Sequence, residues 1–300
     1  MKTELLFQRL ISRLIIALVV LGFATAVSQA HAQLTKIFVA SYGNDANDGS
    51  RGAPKRNFQA AHDAVASGGQ VVVLDTAGYG ALNIGKSLSV TVPPGVNGFI
   101  TVSGNANGIN ITNAGSASIS LRGLIIEGGG ANGTGHGIHA HTVGTLTLED
   151  CTIRNFFSGV YLDAPANPRL LARGVVVRDC FHGFDLENSS NASTMSATVT
   201  DCTVSNVASG VYADVTGSAQ GINATASRCV FTQLGTAAAQ AVSSNNARIV
   251  LDACTVTDAP YVFYKSPNQG TFYTRSNNTG AFVTFGVSND PSPINTLGPF

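Results

Sequence analysis

Apolar residues in this chain come in short runs, each closed by glycine, asparagine, serine or aspartate. Residues 70–74 (QVVVL), 88–92, 99–102, 108–111, 118–121 and 124–127 are such runs. Their shortness, β-branched content and small polar breaks predict strands rather than helices. The runs also repeat. Residues 151–162 read CTIRNFFSGVYL and residues 202–213 read CTVSNVASGVYA, with a clipped copy at 178–186 (RDCFHGFDL) and a degenerate one at 135–140 (GHGIHA). Cys151, Cys180, Cys202, Cys229 and Cys254 fall 29, 22, 27 and 25 residues apart, as if marking one position in successive units. Three short strands per unit predict an all-β solenoid, in which each coil buries its inner face only by stacking on its neighbours.

Two stretches break the pattern. Residues 57–66 (NFQAAHDAVA) predict one helix, with Asn57 placed to cap it, Phe58, Ala61 and Val65 as its apolar stripe, and Gly68 and Gly69 ending it. Such a helix can cover the apolar end of a solenoid and its unpaired strand edges. At the start, Lys2, Arg9 and Arg13 accompany an apolar run at 14–21 that leads to Ala30, His31 and Ala32, the form of a cleaved signal peptide. The expected organisation is a signal peptide at 1–32, a strand and capping helix at 33–69, coils at 70–285 and a C-terminal tail at 286–300. The Asp45, Asn47, Asp48, Gly49 cluster reads as a turn, because the ligand order of a calcium loop is absent.

Charge narrows the partners. Removing three basic residues and one acid with the leader leaves 14 basic against 16 acidic residues, a net charge of −2. That balance excludes a basic face for nucleic acid. No run beyond the leader is long and apolar enough to span a bilayer. Five cysteines in matching phrases are expected to form a buried thiol column, with disulfides between neighbouring rungs as the alternative. No C-x-x-C or Cys/His cluster of metal-ligand spacing accompanies them.

The N-terminal module FVASYGNDANDGS…AAHDAVASGGQVVVL, followed by coils of the form L-x-L-x-D-C-x-I-x(5)-G-V-x-L, resembles the secreted right-handed parallel β-helix proteins of the pectin-lyase-like superfamily. The resemblance covers residues 36–285. It implies a right-handed parallel β-helix, a secreted or periplasmic location and a polysaccharide or cell-surface glycan as partner. The superfamily holds lyases, glycoside hydrolases, epimerases and adhesins, so the fold does not bring an activity with it. Gly135-His136-Gly137 matches a short polygalacturonase motif, but the paired acidic signatures that accompany it there are missing, and His136 is read as a turn residue.

Side chains alternate along a strand, so aligned coils can be read as columns. The inward column is expected to be Ile138, Val160, Phe184, Val211, Val242 and Val262. One residue on, the outward column reads His139, Tyr161, Asp185, Tyr212, Ser243 and Phe263. Two further on it reads His141, Asp163, Glu187, Asp214, Asn245 and Lys265. Carboxylates on neighbouring rungs, about 4.8 Å apart, repel by about 3.5 kcal/mol at an effective dielectric near 20. In a shielded groove such a ladder raises a pKa or recruits a cation, Ca²⁺ being the natural candidate. Asp163, Asp185, Glu187 and Asp214 are therefore the candidate acids and bases, and His139, Tyr161, His182 and Tyr212 the candidate substrate contacts. The diagonal from Asp163 to Asp185 is roughly 8 Å, within the range of an inverting glycosidase pair. A second acidic column, Arg122, Asp150, Asp179, Asp201 and Arg228, is read as a tight left-handed bend.

Two functions stay open. One is a flank that binds a polysaccharide and cleaves it as a lyase or hydrolase. The other is a non-catalytic structural or surface-interaction protein, favoured by the modest connecting segments 163–170, 188–194 and 214–220; in either case the chain is expected to be a monomer. Aromatic residues from 259 to 285 are expected to close the C-terminal end of the core.

Overall fold

The computed structural model describes residues 34–300 apart from 113, 130–132, 164, 190–192, 217–219, 243–245, 266–269, 275–276, 289–294 and 297–300, with side chains described as far as 281. The expected signal peptide lies outside the described residues. Among these, every element is a strand except α1 (Phe58–Ala64). No described helix is long and apolar enough to cross a membrane.

Strands one coil apart pair in parallel, which gives three faces. One face is an 11-stranded sheet that runs from Leu34–Val39 and Val65–Val73 to Thr271–Thr274 and Asn295–Thr296. The other two join into a single sheet, because long strands pass round the corner between them. The third face carries the chemistry. The strands that matter there are β1 (His136–Ala140), β2 (Ser158–Leu162), β3 (His182–Asn188) and the C-terminal halves of β4 (Thr203–Val215) and β5 (Val230–Val242), with further rungs of the face on either side.

The inward column follows the predicted one for four coils and then departs from it. Ile138, Val160, Phe184 and Val211 stack in register and are buried. The next rungs are Ala239 and Phe263, not Val242 and Val262. Ala237-Ala238 stands there for the usual Ser-Gly, which removes the residue marker of the turn. Consequently Gln240 and Tyr264 continue the outward column past Tyr212, Val242 follows Asp214, and Lys265 is buried behind Ala241.

The cysteines also need regrouping. The bend before Cys151 is taken by Asp150, Asp201, Arg228 and Ala253 at φ 53, 54, 52 and 52°, with Gly123 and Gly174 in the other coils. Arg122 pairs instead with Glu149, within the strand. Cys180 lies at a different corner: Arg178 pairs with Arg154, which places Asp179 opposite Asn155 and Cys180 opposite Phe156. At that corner Asn155, Asp179, Asn206, Gln233 and Asp258 adopt positive φ. The coil bearing Asp185 therefore has not lost a loop. Its Asp-Cys only imitates the other phrases, because both corners need a left-handed residue followed by a buried one. All five thiols are free and buried, and burial pushes those of Cys151 and Cys180 up to about 11 and about 12.

α1 is shorter than the predicted 57–66, because the strand Val65–Val73 takes over at once. Phe58, Ala61 and Val65 are buried as expected. Asn57 precedes the helix without capping it: its Nδ2 donates to Asp45 Oδ2 at 2.6 Å. Asp45 Oδ1 also accepts the Arg56 and Asn57 N–H groups, which ties the 45–49 turn to the helix start. At the other end the buried Phe263 and Phe272 rings meet at 4.9 Å between centroids, tilted by 38°. Strand pairing continues through Thr279–Ser288 to Asn295–Thr296, within what reads in sequence as the tail.

One column of the third face holds the coils close together. Gly137, Gly159, Gly183 and Gly210 stack with Ala238 after them, and a Cβ on Gly183 would sit 2.5 Å from Gly210 O and 2.7 Å from Val204 Cγ1. Gly183→Ala is expected to cost about 1–3 kcal/mol in urea denaturation. Gly52→Ala, where nothing lies within 4 Å, should change stability by less than about 0.5 kcal/mol. Equal effects at the two positions would refute the close approach.

Candidate functional site

Beside the glycine column the face carries two interlocked outward columns. The residues before the glycines are His136, Ser158, His182 and Ser209 in register, and the residues two beyond them are His139, Tyr161, Asp185, Tyr212 and then Gln240. Each member of the first column meets the second column one rung on. His136 stacks on Tyr161 (centroids 4.4 Å apart, 23° between planes), and Ser158 Oγ donates to Asp185 Oδ2 at 2.6 Å. His182 stacks on Tyr212 (4.2 Å, 25°), and Ser209 Oγ donates to Gln240 Oε1. The alternation has a two-coil period. It places Asp185 between two histidine–tyrosine stacks and gives it a hydroxyl donor.

Above this floor the third column supplies Glu187 and Asp214, paired across adjacent rungs. Together with Thr134, His136, Phe157, Tyr161, His182, Asp185 and Tyr212 they line a concavity of about 370 Å³. Phe157 stacks on Phe181 at 5.1 Å, and Phe181, 47% exposed, extends the aromatic rim. A larger, shallower hollow of about 510 Å³ lies at the Asn155–Asp179–Asn206 corner. It is lined by turn residues, and its Asp179 carboxylate is already held by Arg178 and Asn206, so the smaller concavity is the chemical one.

Burial sets the charge states. Asp185 is only 5% exposed, and burial together with the charges of Glu187, Asp214 and Asp163 pushes its carboxyl up to about 7 against the pull of the Ser158 hydrogen bond. Burial pushes His136 and His182 down to about 4, so both rings are neutral at neutral pH. Burial and the Asp214 charge push Tyr212 up to about 12; burial and the hydrogen bond it donates to Glu187 Oε2 raise Tyr161 further. The tyrosines therefore stay protonated. His136 Nδ1, His182 Nδ1 and Asp214 Oδ1 are buried without a hydrogen-bond partner among the described residues.

The concavity gathers Asp185, Glu187, Asp214, Tyr161, His182 and Tyr212 as the sequence suggested, but not His139 or Asp163. The Asp163 carboxylate turns instead to His139 Nε2 at 3.3 Å and His141 Nδ1 at 3.0 Å. Burial raises its carboxyl, the two histidine hydrogen bonds lower it more, and the net result lies below the usual range. Asp163 thus has hydrogen bonds of its own, and the carboxylates that share the concavity with Asp185 are Glu187 and Asp214. The oxygen ladder expected for Ca²⁺ is likewise divided, with Asp163 held by imidazoles and Glu187 by a tyrosine. Sequence reasoning missed Ser158, Phe157, Phe181 and His136. The missed signal was the alternation HGI, SGV, HGF, SGV, which reads as turn variation until the coils are in register.

Residues 96–219 match the family model for a right-handed β-helix region. Among solved structures the chain is similar to pectate lyase Pel9A, with a TM-score of 0.56 and 14% identity over 87% of this chain and 79% of that one. The chain is a right-handed parallel β-helix of the pectin-lyase-like fold. Two further similarities are lower. They are to the GH136 lacto-N-biosidase of Eubacterium ramulus (TM-score 0.44, 10% identity, 84% and 68% covered) and to a rhamnogalacturonan lyase (0.40, 11%, 85% and 87%). No curated protein matches the sequence. Within this β-helix the concavity lies on the third face, where Asp185 replaces the tyrosine of the neighbouring coils.

Proposed function

We propose that this protein binds a neutral glycan along the third face and hydrolyses it, with Asp185 as general acid and Asp214 as general base. The observation that carries the proposal is Asp185: a buried carboxyl, proton-bearing near neutral pH, at the floor of a concavity walled by two histidine–tyrosine stacks. Aromatic faces with polar edges suit pyranose rings. A carboxylic acid tuned toward neutrality can protonate a leaving oxygen. The register separates Asp185 from Asp214 by one rung and two residues, roughly 8 Å along the backbone, which leaves room for the water of an inverting reaction. Asp214 Oδ1, without a hydrogen-bond partner among the described residues, is the acceptor assigned to that water.

Hydrolysis is favoured over β-elimination. Among the described residues no lysine or arginine lines the concavity, and its tyrosines are held in the protonated form. The carboxylates of Glu187 and Asp214 would also repel a uronate polymer. Export to the periplasm or medium as a monomer completes this reading.

The test is a screen of the purified protein on neutral glucans, xylans, mannans and galactans beside pectate and alginate. Reducing ends are expected from a neutral glycan, with kcat falling about 10²–10⁴-fold in Asp185→Asn and kcat/KM declining above about pH 7 as Asp185 loses its proton. Unsaturated products from pectate would overturn the proposal, as would an Asp185→Asn protein of undiminished activity. Binding without cleavage would transfer the face to the adhesin-like reading.

A further inference from the structure

At the edge of the concavity, three side chains outside it converge. His139 on β1 and the exposed His141, just past the end of that strand, stand two residues apart, and Asp163 follows β2 on the next rung beside His141. The rungs are fixed around them, with His141 N–H donating to Ile111 O at 3.0 Å and Asp163 N–H to Ala140 O at 3.2 Å. One donor atom of each of the three lies within 4.8 Å of the other two. The Asp163 oxygens are 3.3 Å from His139 Nε2 and 3.0 Å from His141 Nδ1. Donors on a tetrahedral ion with bonds of about 2.0–2.1 Å are separated by about 3.3 Å; the two contacts use different oxygens, Oδ1 toward His139 and Oδ2 toward His141, so the carboxylate spans both imidazoles and a small rotation brings one oxygen to the shared ion.

We propose that His139, His141 and Asp163 bind a divalent transition-metal ion of the zinc class. Two imidazoles and one carboxylate suit Zn²⁺, Co²⁺ or Ni²⁺, whereas Ca²⁺ takes six to eight oxygens. Three ligands at this strand edge leave at least one coordination position open toward solvent, as His141 is 55% exposed and the other two are 24% and 22% exposed. The site has a cost on its inner side. Asn107 accepts the His136 N–H at 2.7 Å and sets its Nδ2 3.5 Å from His139 Nδ1. Metal at Nε2 places the ring proton on Nδ1, so loading breaks this long contact.

The experiment titrates chelator-treated full-chain protein with Co²⁺ by visible absorption and with Zn²⁺ by calorimetry, in the absence of any glycan. One equivalent is expected to bind, with the intense visible bands of four- or five-coordinate Co²⁺. His141→Ala is expected to weaken binding by more than about 100-fold, since loss of an outer-shell partner alone costs 10–100-fold. His62→Ala, on α1, should leave it unchanged. Thermal melts without metal confirm folding, and Zn²⁺ should raise the melting temperature of the wild type but not of His141→Ala. Absence of stoichiometric binding, equal affinity in His141→Ala, or displacement of Co²⁺ by equimolar Ca²⁺ would each overturn the site. Because no substrate is involved, these outcomes are independent of the hydrolysis proposal.

Discussion

Asp185→Asn is expected to stabilise the protein, and to do so increasingly as pH rises. The carboxyl titrates near 7 in the folded chain and near 3.9 when unfolded, so between these values the folded state holds a proton that the unfolded state has lost. Stability then falls as pH increases through that window. The contribution is fully present below about pH 4 and lost above about pH 7. Three pKa units at about 1.36 kcal/mol each make it about 4 kcal/mol. Asparagine does not titrate, and its carbonyl can still accept the Ser158 hydroxyl. The advantage of the variant over wild type should therefore grow by about 3 kcal/mol between pH 5 and pH 8. Urea midpoints at the two pH values measure it. Parallel stability curves for the two proteins would mean that Asp185 is not desolvated, and the acid role would go with it. A residue that weakens the fold at working pH is what a stability–activity trade-off predicts for a functional group.

Phe184→Ala should be the most damaging change beneath the site. Phe184 is fully buried, one residue before Asp185, and stacks between Val160 and Val211 on the adjacent rungs. Truncation leaves a cavity that those flanking valines cannot fill, because each is fixed by its own strand pairing. The expected loss is about 3–5 kcal/mol. Phe184→Leu should recover more than half of it, since it retains most of the packing. The Asp185 carboxyl rests on the same strand, so circular dichroism melts and the pH profile of activity should shift together. A loss below about 1 kcal/mol would show that the coil interior can collapse and does not hold the floor rigidly.

The architecture could be read from the residues because a solenoid writes its contacts into the chain at a short, repeated distance. Cys151 and Cys202, the SGVY phrases and the bends at Asp150 and Asp201 all recur where the same steric demand recurs. The reading failed where a different demand produced the same letters. Asp179-Cys180 copied the first corner while standing at the second, and Ala237-Ala238 served as Ser-Gly without resembling it. In each case hydrogen-bond register, which depends on neighbouring coils, decided the position.

The acidic and aromatic content of the third face was likewise legible, since alternation fixes which residues point outward. What alternation cannot give is the partner one rung away. Ser158 reaching Asp185, Asp163 turning to His139 and His141, and the two histidine–tyrosine stacks are diagonal contacts between coils. The sequence by itself thus determined a stacked β-helix with a carboxylate-rich flank, through periodicity and local backbone preference. Only the tertiary structure decided which carboxyl is buried and proton-bearing and which is held by imidazoles, because burial and charge are set by residues a whole coil apart.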